Sequence, residues 1–352
     1  MPPIVFVVPG RIDARSGGSI YDKRMAGALR DRGWLVDVRE LDGAFPLPTQ
    51  ATLTRAARAL ADVAAGTIVL IDGLALGAMP AVVEREASRL RIVALVHLPL
   101  AAAVGLDRNT AAGLEAAERR SLSVAALVIV TGQATFPMLG PYGLPRDRVV
   151  VVEPGTNAAP LARGSVDSGP LQLLSVATLN PGKGHEVLLR ALAVVPHTQW
   201  RLTCAGSLTR HPATVDRVRA SLRRLGLEDR VSLAGELDDV ALAACYDGAD
   251  VFVLATLRET YGMAVAEALA HGLPVVSTTT GAIPDLVGDD AGLLVPPGNT
   301  TALVEALTHV IGQPDLRTRL AEGARLVRDR LQDWEQASRK MADALEQLAT
   351  HG

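Results

Sequence analysis

Aromatic side chains are scarce, with four Phe, four Tyr and three Trp in 352 residues. A core of this size cannot rest on large rings and must be filled by Ala, Val and Leu. Apolar residues nevertheless make up 49% of the chain, which excludes a disordered polymer. Cysteine is almost absent. Cys204 and Cys245 both stand in apolar surroundings, so no disulfide framework is implied and a reducing compartment is expected. No apolar run is long enough to cross a bilayer. The run Ile4-Val5-Phe6-Val7-Val8-Pro9-Gly10 has the length of a strand and is too short for a signal-peptide core. A cytoplasmic protein is the expectation.

No large excess of one charge is present either. The net charge of −3 argues against a general nucleic-acid binder. Residues 1–165 carry 18 basic against 15 acidic side chains, and residues 166–352 carry 17 against 23. The first half is thus mildly positive, which allows at most a weak membrane-surface contact. Several catalytic signatures are missing. The glycines near the N-terminus do not match G-x-G-x-x-G, which counts against a nicotinamide enzyme. No G-x-S-x-G elbow and no Walker loop occur. His185, His197, His211, His271 and His309 lack metal-ligand spacing, and no Asp-x-Asp follows a strand. Asp238-Asp239 and Asp289-Asp290 read as caps, so no metal and no bound cofactor are expected.

What is present is an alternation of short β-branched runs with helical patterns. Val5–Val8, Leu35–Arg39, Ile68–Asp72, Ile92–His97, Ala126–Thr131 and Val149–Glu153 read as strands, with helices such as Tyr21–Arg32 and Leu53–Ala65 between them. Pro154–Pro170 is rich in Gly, Pro, Ala, Asn and Ser and reads as a linker. Alternation then restarts with Leu171–Ala177, Trp200–Ala205, Val231–Ala234, Val251–Ala255, Pro274–Ser277 and Gly292–Val295. Near-continuous apolar strands separated by helices predict parallel sheets covered on both faces. The expectation is an α/β chain with two doubly wound units. The first spans 1–160 and the second spans 170–334, followed by a charged helix over 335–352 whose packing partner the pattern does not show. A cleft between them would hold a ligand at the carboxyl ends of the strands.

The sharpest candidate site is the stretch from Arg258 to Ala268. Glu259 lies in a strand-to-helix loop and Glu267 on the helix that follows. The amides near Gly262, Met263 and Ala264 open that helix and favour a phosphate, and Gly262 permits close approach. Two flanking carboxylates could then accept bonds from hydroxyl groups. A second candidate is Thr178-Leu179-Asn180-Pro181-Gly182-Lys183-Gly184-His185. A Lys between glycines at a strand-helix turn can reach a diphosphate as a point charge. Gly17 and Gly18 offer backbone donors ahead of the first helix, and His97 closes the strand Ile92–His97.

The residues Glu259 and Glu267, Tyr261-Gly262, and the run Glu267-Ala268-Leu269-Ala270-His271-Gly272-Leu273-Pro274-Val275-Val276 resemble the donor-site signature of family 4 retaining glycosyltransferases. Gly281-Ala282-Ile283-Pro284-Asp285 and Gly292-Leu293-Leu294-Val295-Pro296-Pro297-Gly298-Asn299 continue it, so the resemblance covers most of 171–310. It is weaker at Gly17-Gly18, Leu29-Arg30-Asp31-Arg32-Gly33, His97 and Glu153-Pro154-Gly155-Thr156-Asn157. The resemblance implies a GT-B fold and metal-independent transfer of a hexose-type sugar from a nucleotide-sugar, with retention, to an unidentified acceptor. It implies that Glu267 holds the donor ribose and Glu259 a sugar hydroxyl, and that the C-terminal helix over 335–352 returns to complete the first unit. Lys183 would neutralise the departing diphosphate, His97 would line the sugar on the acceptor side, and Glu236 and Leu237 would border the base. The family usually carries Arg five residues before the Lys, and here that residue is Thr178. Two alternatives stay open, a nucleotide-sugar sensor without turnover and a nucleotide-sugar epimerase of the same fold.

Overall fold

Alternating side chains in the first six strands face opposite ways, and each face has its own core. In the computed structural model, which describes residues 3–165 and 169–351, these strands are β1 Pro3–Pro9, β2 Leu35–Leu41, β3 Ile68–Asp72, β4 Arg91–Val96, β5 Leu127–Val130 and β6 Val149–Val151. They form one parallel sheet in the order β2-β1-β3-β4-β5-β6. Val5 and Val7 of β1 join Val69 and Ile71 on one face, while Ile4, Phe6 and Val8 join Ile68 and Leu70 on the other. Both faces are buried along β1, β3, β4 and β5, so these strands tolerate no polar alternation, whereas the edge strand β2 carries Asp37, Arg39 and Glu40.

The second face is completed from far along the chain. The helix Trp334–His351 sends Ala337, Met341, Ala344 and Leu345 into the same cluster as Tyr21, Met25 and Leu29 of the helix Gly17–Asp31. The spacings i, i+4, i+7 and i+8 put each set on one helical stripe. The compact unit built in this way comprises residues 3–155 and 332–351.

The second unit, Thr156–Leu331, repeats the scheme. Its strands are β7 Leu171–Val176, β8 Trp200–Ala205, β9 Val231–Gly235, β10 Val251–Val253, β11 Val275–Thr278 and β12 Gly292–Val295. They are parallel, in the order β12-β11-β10-β7-β8-β9. Leu173, Val253 and Val276 face one core, and Leu174, Phe252 and Val275 face the other. Both units are Rossmann-like, as in the GT-B fold.

Each sheet reverses its direction of growth once. In the first unit the reversal lies between β1 and β3, and in the second between β7 and β10. Helices leave on opposite faces at such a point, so a crevice opens at the carboxyl ends of the two strands.

Three sequence expectations need correction. Residues 156–160 pack with the second unit, because Arg328 donates to the Ala159 carbonyl and the Pro160 carbonyl lies 3.0 Å from His271 Nδ1. Residues 332–334 belong with the first unit, where Gln332 donates to the Glu153 carbonyl at 2.9 Å. Asp238 caps the helix Asp239–Asp247 as expected, but Asp289 and Asp290 form a turn after the helix Ile283–Val287 and cap nothing. The expected linker 154–170 includes residues 166–168, which lie outside the described residues.

Candidate functional site

The crevice of the second unit is built from the loops after β7 and β10. Gly184 makes their close approach possible. It has a φ of +66°, and a Cβ there would stand 1.9 Å from the Ala255 carbonyl oxygen. No side chain can occupy that gap, so glycine is required. The two loops are further stitched by the Leu257 amide, which donates to the Gly182 carbonyl at 2.7 Å, and by the Thr256 hydroxyl, which donates to the same carbonyl at 3.0 Å. Lys183 and Glu259 are thereby brought together, with Nζ 2.5 Å from Oε2. Both side chains are mostly buried, and a charge-assisted bond of this kind fixes them. The other Glu259 oxygen accepts from the Thr260 amide at 3.2 Å.

Gly262, with a φ of +101°, opens the helix Met263–Ala270, and no side chain caps it. The first amides of a helix have no intrahelical acceptor, so the stretch at Gly262, Met263 and Ala264 offers donors and the positive end of the dipole. Glu267 lies on this helix. Its Oε2 accepts from the Tyr246 hydroxyl at 2.9 Å. Tyr246 in turn stacks on His271 at 4.8 Å between centroids. Burial, and then the charge of Glu267, push the Tyr246 phenol up, so it stays a donor.

The other expected residues of this unit are placed differently. The Tyr261 ring is buried against Ala266 and Ala282 and serves packing. Thr178 follows β7, with its carbonyl accepting from the Asn180 amide at 2.8 Å. Glu236 and Leu237 follow β9, and Glu236 lies 3.8 Å from Arg210 at the surface.

The crevice of the first unit gathers residues that are far apart in sequence. His97 follows β4, and its Nε2 stands 3.0 Å from Asp22 Oδ1 and 3.3 Å from Asp72 Oδ2. Both carboxylates are buried. Asp72 ends β3, and its other oxygen accepts from the Leu74 amide at 2.7 Å, which fixes its rotamer. Gly18 lies against the ring: a Cβ there would meet His97 Cδ2 at 3.3 Å. Gly17 opens the same helix, capped by Ser16. Tyr21 meets the imidazole edge to face at 5.2 Å, with its hydroxyl donating to the Val152 carbonyl. Burial works against charging His97, yet the charges and hydrogen bonds of Asp22 and Asp72 prevail and raise it to about 10. Burial, with Asp72 beside it, holds the Asp22 carboxyl above its usual range.

Among the described residues this trio is the one group whose ligand atoms lie close enough to hold a metal ion, within 4.8 Å of one another. The sequence reading found no such constellation, because positions 22, 72 and 97 share no motif. Asp22 and Tyr246 also carried no usable signal. Asp72 carried one, an acid closing an otherwise apolar strand.

Residues 162–327 match the family model for glycosyl transferases group 1. That segment is a group 1 glycosyl transferase domain. It contains the whole Lys183–Glu259–Glu267 arrangement. Among relatives, the chain is 31% identical over 240 residues to a D-inositol 3-phosphate glycosyltransferase of Xylanimonas cellulosilytica, covering 63% of this chain and 57% of that one. It is 32% identical over 244 residues to the enzyme of that name from Kineococcus radiotolerans, covering 61% and 53%. The chain thus spans a little over half the length of these curated relatives. Among solved structures, sucrose-phosphate synthase from Thermosynechococcus elongatus superposes with a TM-score of 0.84 at 23% identity, covering all of both chains. HepE of Anabaena, in complex with UDP and glucose, superposes with 0.76 at 18% identity, covering 97% and 99%. These two likenesses establish the fold. Among the described residues, no helix is long and apolar enough to cross a membrane.

Proposed function

We propose that this chain is a glycosyltransferase that moves a hexose-type sugar from a nucleotide-sugar donor, with retention and without a metal ion, to a polyhydroxylated acceptor. The observation that carries the reading is the Lys183–Glu259 pair at the reversal between β7 and β10, beside the uncapped start of the helix that bears Glu267. A nucleoside diphosphate fits this arrangement chemically. Its phosphates take the helix-start amides and the Lys183 ammonium, which releases Glu259 to accept from a sugar hydroxyl. Glu267, steadied by Tyr246, accepts from the ribose. Charge on the leaving diphosphate grows as the sugar bond breaks, so preorganised donors there lower the barrier. Lys183 supplies positive charge where other transferases use a divalent ion. The names of the curated relatives support a polyol acceptor, and UDP in the HepE structure supports a nucleotide-sugar donor.

Thermal shift against UDP-, GDP- and ADP-sugars should identify the donor, because a ligand bound to the native state raises its apparent stability. With that donor, Glu267→Ala should mainly raise KM, since a ribose contact exists before and during reaction. Glu259→Ala should lower kcat by about tenfold or more, since it orients the sugar as its bond breaks. Turnover should survive chelator. Wild-type kinetics in both variants would overturn the assignment of the site, and turnover lost in chelator and restored by magnesium or manganese would overturn the metal-free mechanism.

A further inference from the structure

The first unit encloses two carboxylates around one imidazole nitrogen. Asp22 and Asp72 are each 2% exposed, whereas the His97 side chain keeps 21% of its surface open. The ring is therefore the part of the trio that reaches outward. Its Nε2 is turned toward both acids. One side is confined by Gly18 and another by Tyr21, whose hydroxyl is anchored to Val152. Asp72 cannot swing away without releasing the Leu74 amide.

We propose, on the transferase reading, that Asp22 and Asp72 are positioning residues that hold His97 with Nε2 inward and the ring protonated, so that its Nδ1–H edge is a fixed, charged donor to a substrate oxygen. Two buried carboxylates beside a neutral imidazole would leave two negative charges uncompensated, which is costly in a medium of low dielectric. An imidazolium removes one of them and donates from both ring nitrogens. The groups facing the ring bear this out. Asp22 comes from the helix after β1 and Asp72 from the end of β3. Tyr21 is a neutral phenol, pushed well up by burial. The ring's raised affinity for a proton and the upward displacement of Asp22 follow from this geometry. A histidine free of such partners would titrate near neutrality, and its donor would be lost through the physiological range. Here the carboxylates keep the donor present across it. Neither acid touches the substrate in this arrangement, and both act through His97.

The test is a nitrogen-15 NMR titration of the His97 ring from pH 6 to 10.5 in the full chain, compared with Asp22→Asn, Asp72→Asn and, as a ring control, His97→Gln. Wild-type His97 should stay protonated through pH 8, and Asp22→Asn should bring its titration down between pH 6 and 8. In donor turnover, Asp22→Asn should lower kcat about tenfold at pH 8 and less at pH 6, with donor KM within threefold of wild type. The wild-type profile should be flat over that interval. If Asp22→Asn does not fold, Asp72→Asn and Asp22→Glu carry the same comparison. A wild-type ring that titrates near 6.5, or variants that leave both the titration and kcat unchanged, would overturn the proposal. So would stoichiometric metal in the purified protein that Asp22→Asn removes, since the trio would then be a metal site. Absence of any donor turnover in the wild type would instead count against the transferase reading, with the NMR titration still deciding how the ring is held.

Discussion

Thr178 and His185 bracket the Lys183 loop and are open to single-residue tests. Thr178 stands where the family usually has Arg, and its hydroxyl can give one neutral hydrogen bond where Arg would give a charged fork. The structure supplies another cation close by. Arg258 is exposed one residue before Glu259, its side chain makes no ion pair among the described residues, and its carbonyl is tied through the Thr256 hydroxyl to the same loop as Lys183. Thr178→Arg should therefore crowd the site and lower turnover. A tenfold or greater gain in kcat would show that the natural site lacks the charge. His185 is buried with both ring nitrogens unpartnered. Burial, and then the nearby Lys183 charge, push it down to about 4. The unfolded chain binds its proton near pH 6.5, so between about 6.5 and 4 the unfolded state holds more protons than the native one. Stability from this site is complete above 6.5 and is lost as the pH falls toward 4, by about 3 kcal/mol at most. Denaturant melts of His185→Leu should show a flatter acid limb than wild type. An unchanged limb would mean the ring is not buried neutral.

At the scale of elements, the loops after β7 and β10 depend on a contact that no periodicity announces. Gly184→Ala would push a methyl into the Ala255 carbonyl from a backbone conformation that L-residues avoid. It should cost about 3 kcal/mol of stability, within the range for strain at a special backbone position. It should also weaken donor binding, because Lys183 and Glu259 are held by these same loops. Retained stability and donor affinity would show that the loop junction is looser than described. The strands themselves were legible. Ile68–Asp72, Trp200–Ala205 and Gly292–Val295 agree with the structure end for end, and the first of these, buried on both faces, is written as a bounded apolar run. The Lys183 and Glu259 loops were legible as strand-to-helix turns. That their side chains meet was not, since 76 residues separate them.

At the scale of the whole molecule, the first unit is discontinuous. A chain ending at Leu331 would lack Met341, Leu345 and the rest of the C-terminal stripe, and would bare Tyr21, Met25 and Leu29. Each large apolar side chain so exposed costs about 1.5–3 kcal/mol, against a typical domain stability of about 5–15 kcal/mol. Calorimetry of this truncation should show the first unit's transition lost and the second's kept. Survival of both would mean that the helix is an accessory.

Sequence alone determined the class of each unit, the strand order along the chain, and the glycines and acids that mark one crevice. These are local quantities, set by periodicity, turn chemistry and nearest neighbours. The tertiary structure alone decided that Asp22 and Asp72 meet at His97, and that Tyr246 steadies Glu267. It also placed residues 332–334 with the first unit. These depend on which strands lie side by side. A sheet that reverses its growth between β1 and β3 brings together the ends of strands whose residues share no spacing in the chain.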